Sequence, residues 1–255
     1  MLHYRLKHVF APAMLSFVHP VLFAPGSSRN VPANSTCPPG GACLHLSNHK
    51  HVALAVAGCS LSVVRFDNGD TVHTSAFEPP TIGAVAGADV FNATVAELFA
   101  AGACGAGECF LAAGCGVGAA GAAGAAEGSA GVAMPLVAQP YFPTPLSECV
   151  LAHANLSGTI TASNASAVQL TLDTNTTAPY VFLSSTIPGR FSDNSFTLLP
   201  GKQQARTLSF EYDEVPGGNS RGGAAARSNG DWIHALRVYT MNNKAPTAGA
   251  DVFGG

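Results

Sequence analysis

Val168, Leu170 and Leu172 alternate with Gln169, Thr171 and Asp173. Leu208, Phe210 and Tyr212 alternate in the same way with Ser209, Glu211 and Asp213. A period of two places successive side chains on opposite faces of an extended strand, so each segment buries one face and wets the other. The signal recurs along the chain. It is present in Val52, Leu54 and Val56, in Leu61 and Val63 and loosely through Cys149–Ala162, while Ala88–Phe91 and Cys109–Ala113 read as further strands. Tyr180–Leu183 is apolar on both sides, as in a central strand, and Trp232–Tyr239 is the last candidate. Asn68-Gly69 is a tight-turn dipeptide, with Thr71–Phe77 as its returning strand. Strands spaced by about 10–15 residues with turn signals between them predict an all-β chain built of antiparallel sandwiches.

Composition supports that fold class and removes others. Only 11% of the 255 residues are charged, against about 25% in an average globular chain. With so little Lys and Glu, a helical bundle or coiled coil is excluded as the main architecture. The 12 basic and 15 acidic residues form no run of like charge, which argues against a nucleic-acid partner or a polybasic membrane patch. No uninterrupted apolar stretch reaches the ~18 residues of a membrane span.

Non-β segments are few. Basic residues precede an apolar stretch in 1–24, but Pro12 and Pro20 interrupt it, so it makes a poor signal-peptide core. Met1–Phe10 reads instead as the last turns of a helix ending before Pro12. Asn92 is a candidate cap for a short helix over Thr94–Ala101 that stops at Gly102. Residues 114–133 are a Gly/Ala repeat that buries too little to offset its ordering entropy, hence a disordered insertion, and 216–230 is a second flexible loop.

Seven cysteines include Cys104, Cys109 and Cys115 close together, without the paired spacing of a zinc site. Cys104 and Cys109 flank a Gly105-Ala-Gly107 turn and are a candidate disulfide. Asn-x-Ser/Thr sequons begin at Asn34, Asn92, Asn155, Asn164 and Asn175, where chance would supply about two given that acceptor pattern. Together they favour a secretory or lysosomal route, in which disulfides survive.

Several chemical motifs match in letters and fail in context. Gly116-x-Gly118-x-x-Gly121 runs into Gly/Ala repeats, without the helix and the acidic strand end that a dinucleotide site needs. Gly218-x-Ser220-x-Gly222 lacks the following helix of a nucleophile elbow. His45, His49 and His51 cluster near a bend, but no carboxylate is close in sequence to complete a metal site. Glycoside hydrolysis usually needs two carboxyl groups on a rigid frame. No such pair stands out, and Glu148 reads as solvated. No catalytic residue, metal or cofactor is expected.

Ile187-Pro188-Gly189-Arg190-Phe191-Ser192-Asp193-Asn194-x-Phe196, preceded by Ala178-Pro179-Tyr180-Val181-Phe182-Leu183, resembles the terminal-domain motif of lysosomal-type β-mannosidases of glycoside hydrolase family 2. Met1-Leu2-His3-Tyr4 with Phe10-Ala11-Pro12 resembles the segment closing the catalytic barrel of those enzymes. Val95-Ala96-Glu97-Leu98 and Glu108-Cys109-Phe110 resemble stretches lying between these ends. The resemblance implies a barrel-helix remnant and exit over 1–24 followed by two Ig-like sandwiches. The first would span 25–138 and the second 139–255, with a loose tail over 242–255.

The family's acid/base lies in an Asn-Glu pair and its nucleophile in Ser-Glu-[Phe/Tyr]-Gly, both in the barrel. This sequence has no Asn-Glu, and its Ser147-Glu148 continues with Cys149. The resemblance therefore implies accessory domains whose partner is the barrel of the same polypeptide. Mannose-containing oligosaccharide would be met only through that barrel, in a lysosomal, vacuolar or secreted setting. Met1 falls inside a barrel-helix run, so upstream coding sequence is expected. A relative with another sugar preference, such as an exo-glucosaminidase, is one alternative. A stand-alone carbohydrate-binding or adhesive module is another, although one Trp and five Tyr are few for an aromatic platform.

Overall fold

A computed structural model describes residues 12–18, 37–38, 40–116, 136–163, 167–201, 205–212, 233–243 and 245–253. Among these, 12–65 with 70–149 form one compact unit, and 66–69 with 150–253 form the other. The change of unit therefore falls after Cys149, later in the chain than the 138/139 boundary expected from sequence.

The first unit contains β1 (Ala13–Val18), β2 (Gly41–Asn48), β3 (Ala57–Arg65), β4 (Thr71–Phe77), β5 (Ala86–Thr94), helix α1 (Val95–Ala101), β6 (Cys109–Gly116) and β7 (Leu136–Val137). Its two antiparallel sheets run β1-β2-β5 and β4-β3-β6-β7. Alternating residues of each enter one core: Leu15, Leu44 and Leu46 from the first sheet, and Leu61, Val63 and Leu111 from the second. Helix α1 adds Leu98 and Phe99 to the same core.

Three expectations change here. Ala13–Val18, assigned to the exit from a barrel helix, is a strand in register with Val18↔Cys43 through Ala13↔Asn48. Leu15 is buried and the Phe17 ring meets Tyr141 at 5.4 Å, so period-two burial decides the conformation. Residues 1–11 and 19–24 of that segment lie outside the described residues. Val52–Val56 is not a strand: only a single bridge joins Leu54 to Ile82, and Val52 is exposed. Buried Asn48 shapes this loop, donating from Nδ2 to the carbonyls of Val52 (2.8 Å) and Gly83 (2.9 Å) while Oδ1 accepts the Lys50 N–H (3.0 Å). The helix cap is Thr94 rather than Asn92. Thr94 accepts the Glu97 N–H on its hydroxyl, and the Glu97 carboxylate reaches back to the Thr94 N–H at 3.1 Å, a capping box.

The second unit contains β8 (Leu156–Ser163), β9 (Ala167–Thr174), β10 (Ala178–Ser185), β11 (Gly189–Phe191), β12 (Phe196–Leu198), β13 (Arg206–Tyr212), β14 (Leu236–Tyr239), β15 (Thr247–Ala248) and helix α2 (Gly249–Phe253). Its sheets run β12-β10-β14-β15 and β11-β13-β9-β8. They enclose Val168, Leu170, Leu172, Val181, Leu183, Phe196, Phe210 and Val238. Both units are thus antiparallel sandwiches, and the all-β expectation holds.

Much of the 242–255 tail expected to be loose is ordered. Residues 247–253 form β15 and α2, and Val252 is buried in the core with Phe253 packed beside it. Two glycines make room for this docking. A Cβ on Gly158 would lie 2.4 Å from the Phe253 ring, and one on Gly249 would lie 2.2 Å from the Ile233 carbonyl oxygen. The Gly/Ala repeat beyond Gly116 and the 216–230 loop lie outside the described residues.

Candidate functional site

The run 187–196 is built outward from two buried rings. Phe191 and Phe196 are both buried, and the Phe191 ring meets Phe210 at 4.8 Å across the β11–β13 pairing. Gly189 faces Phe210 and the Glu211 carbonyl so closely that a Cβ would lie 2.4–2.8 Å from them, which only glycine tolerates. Pro188 is exposed ahead of it. Ser192 extends the ladder, its N–H donating to the Ser209 carbonyl (2.7 Å) and its hydroxyl accepting the Ser209 N–H (3.0 Å).

Charges close the rim of the run. Arg206 forms an ion pair with Asp193 while its guanidinium lies 5.5 Å over the Phe196 ring. Arg190 is 3.6 Å from Glu211 with both side chains mostly in water, a pairing worth little. Buried Asn194 directs its amide at β10, and sequence reasoning missed this role. Asn-Asp-type dipeptides signal turns, and nothing local shows that one of these side chains is internal. The residues of the run touch core and backbone, which is an anchor rather than a reactive constellation.

Several other described carboxylates make local contacts. Asp89 is 2.8 Å from His45 Nδ1. Glu108 accepts the Gly105 N–H and Glu78 the Gly58 N–H. Asp173 Oδ1 accepts the Thr174 N–H. Glu148 is exposed in a single 3-10 turn, Leu146–Glu148. Hydrogen bonds from the Thr94 hydroxyl and then the Thr94 N–H hold the Glu97 carboxyl below its usual range. Among the described residues no three His, Cys, Asp or Glu side chains converge as a metal cluster would. His45 is taken up by Asp89, and it does not join His49 and His51 in such a cluster.

Three disulfides are present: Cys37–Cys43, Cys59–Cys115 and Cys104–Cys109. The Cys104–Cys109 pair has its Cα atoms 6.1 Å apart. Cys59 and Cys115 lie on the neighbouring strands β3 and β6, a proximity that only the strand pairing reveals. Cys149 is free, and its thiol donates to the Thr144 and Pro145 carbonyls. Burial and then the adjacent Glu148 push this thiol up, so it is a poor nucleophile.

Of the sequon residues, Asn92, Asn155 and Asn175 are exposed, and Asn34 and Asn164 lie outside the described residues. The surface aromatic pair Phe182–Tyr239 is tilted by 58°, with centroids 6.0 Å apart, and offers no flat stacking face. No described helix is long and apolar enough to cross a membrane.

Residues 151–244 match the family model Ig_mannosidase, an Ig-fold domain. No curated protein sequence matches the chain. A β-D-mannosidase from Dictyoglomus thermophilum is similar in structure, with TM-score 0.56 and 12% identity over 94% of this chain and 23% of that one. The exo-chitosanase of Amycolatopsis orientalis overlaps with TM-score 0.47 and 13% identity over 81% of this chain and 25% of that one. The chain thus spans about a quarter of the length of these proteins, and the likeness to the mannosidase is one of fold.

Proposed function

We propose that this chain forms the C-terminal accessory sandwiches of a lysosomal-type β-mannosidase of glycoside hydrolase family 2. The whole enzyme would remove non-reducing-end β-mannose from glycoprotein-derived oligosaccharides. The observation that carries the reading is the match of residues 151–244 to the mannosidase Ig-fold domain. The fold likeness of nearly the whole chain to part of a β-mannosidase supports it.

In this reading the catalytic carboxylates lie in a barrel outside these residues, and the work of the sandwiches is structural. The local roles of Asp89, Glu97, Glu108 and Asp193 agree with this. Hydrolysis with retention requires two carboxyl groups about 5–5.5 Å apart across the sugar, and the partners of these side chains are the His45 ring, nearby backbone N–H groups and Arg206. Three disulfides favour an oxidising compartment on the secretory or lysosomal route.

The test is an assay of the purified chain with an aryl β-mannoside, beside sequencing of the transcript upstream of Met1. The expected results are no turnover, and an upstream frame encoding a barrel with Asn-Glu and Ser-Glu-[Phe/Tyr]-Gly. Turnover that disappears when one Glu of this chain is replaced overturns the reading, and so does an in-frame stop just before Met1 in a full-length transcript.

A further inference from the structure

A strand at the edge of a sheet offers unpaired N–H and C=O groups to any passing chain, and proteins blunt such edges with Lys, Pro, bulges or short strands. Three strands of seven or more residues have a strand partner on one side only among the described residues: β4, β5 and β8. Their sequences carry little charge. Asp89 is the single charged residue of β5, and β8 and β4 contain no Asp, Glu, Lys or Arg.

Irregularities guard part of each edge. Val72 is an extra residue in the β3–β4 pairing, and Pro79-Pro80 follow the other end of β4. In β5 the extra residue is Val90, which separates two regular halves, Ala86–Asp89 with the charged Asp89 and Phe91–Thr94 without charge. In β8 it is Thr161, which leaves the Leu156–Ile160 half regular. A sequon asparagine stands at each of the two uncharged regular halves, Phe91–Thr94 and Leu156–Ile160. Exposed Asn92 lies within the first, and exposed Asn155 immediately precedes the second.

Asn155 faces a further sequon residue. Its N–H donates to Asn175 Oδ1 at 2.8 Å, and its carbonyl accepts the Asn175 N–H at 3.3 Å. With Oδ1 of Asn175 turned toward this backbone, Nδ2 is the amide atom directed away from it. The two acceptors therefore occupy one spot beside the start of β8.

We propose that Asn92 and the Asn155/Asn175 pair carry asparagine-linked oligosaccharides, and that these glycans cover the Phe91–Thr94 and Leu156–Ile160 halves of the β5 and β8 edges. In the transfer, Nδ2 forms a bond to C1 of the first sugar. The C1–O bond to a lipid-linked pyrophosphate donor breaks, the pyrophosphate leaves, and one Nδ2 proton is lost. The modified amide keeps Oδ1, so the Asn155–Asn175 hydrogen bond survives. A hydrated oligosaccharide supplies the steric and polar barrier that Lys supplies elsewhere, in a chain where charge is scarce. The proposal stands independently of the glycosidase reading, because it rests on edge geometry and sequons alone.

The experiment translates the full chain behind a cleavable secretion signal into microsomes and in a glycosylating host. Asparagine occupancy is mapped by enzymatic deglycosylation in 18O-water. The expected result is label at Asn92 and at one or both of Asn155 and Asn175. Asn92→Gln should remove one mobility step. Ser157→Ala combined with Asn175→Asp should remove the pair's steps while keeping Asn155 and the Oδ1 acceptor. Native enzymatic deglycosylation of folded wild-type protein should raise the aggregated fraction in light scattering several-fold, and this measurement does not depend on any variant folding. Translocated chain without label at Asn92 or at both members of the pair overturns the assignment. Label with unchanged aggregation after deglycosylation overturns the covering role.

Discussion

The side chain of Asn194 pairs with the backbone of Leu183 as a second strand would. The Leu183 N–H donates to Asn194 Oδ1 at 2.7 Å, and Asn194 Nδ2 donates to the Leu183 carbonyl at 2.8 Å. In the β10–β12 register Val181 faces Phe196, so two residues further on Leu183 faces Asn194. Ser195, at φ +64°, turns the backbone out of line at that point. The carboxamide has the same donor and acceptor as a peptide group and completes the ladder in its place.

Asn194→Ala should therefore leave a buried N–H and C=O of Leu183 unpaired. An unsatisfied buried group costs about 1–3 kcal/mol, so the expected loss for the two is roughly 2–6 kcal/mol. Arg190→Ala, which removes only the solvated pair with Glu211, should change stability by less than about 0.5 kcal/mol. Urea unfolding followed through a probe in the second unit checks both. Equal losses in the two variants would refute the role of Asn194.

Val252 offers a second test. It is a core residue held by a five-residue helix, and truncating a buried aliphatic side chain costs about 1–3 kcal/mol when the site cannot collapse. Val252→Ala should lower the urea midpoint of the second unit accordingly. Met241→Ala, at an exposed position, should leave it unchanged.

Disulfide removal should scale with the loop each bridge closes. Cys59 and Cys115 are 56 residues apart and Cys104 and Cys109 are 5 apart. Loop-closure entropy gives about 4 kcal/mol for the first and about 2 kcal/mol for the second. Paired Cys→Ala variants of each bridge, compared by thermal unfolding of the first unit, should show the larger loss at Cys59–Cys115.

Acidification should reach the α1 cap late. The Glu97 pKa is lowered by Thr94, so its contribution is fully present above the ordinary carboxylate value. That contribution is lost as the pH falls through the lower folded value. A 13C carboxyl titration should place Glu97 below free glutamate, and Thr94→Val should return it to the ordinary range. An unchanged midpoint in that variant would exclude Thr94 as the cause.

What the sequence reveals depends on how local the cause is. Thr71–Phe77 after Asn68-Gly69 is legible because the turn and its strand are contiguous. Val168–Asp173 and Leu208–Tyr212 are legible because each alternates cleanly. Val52–Val56 misleads because Leu54 and Val56 face inward from a loop whose shape is set by Asn48 and by Gly83, a distant residue. The helix cap shifts from Asn92 to Thr94 because both residue types cap well, and β5 continues through Thr94 before the chain turns. The order of 247–253 depends on the empty site above Gly158, which no local pattern records. In the 187–196 run, the buried Phe rings follow from hydrophobicity. The inward turn of Asn194 follows from the backbone of a strand earlier in the chain.

The docking of Val252 and Phe253 beside β8 has a consequence for biosynthesis. The strands β8 and β9 emerge from the ribosome first, while the residues that seal their core emerge roughly 80 residues later, about 4–16 s at ordinary elongation rates. The second unit therefore cannot finish folding cotranslationally in step with its own strands. Until Val252 and Phe253 arrive, the Gly158 side of β8 stays uncovered, and during that interval this part of the nascent chain is open to chaperones and to wrong partners alike.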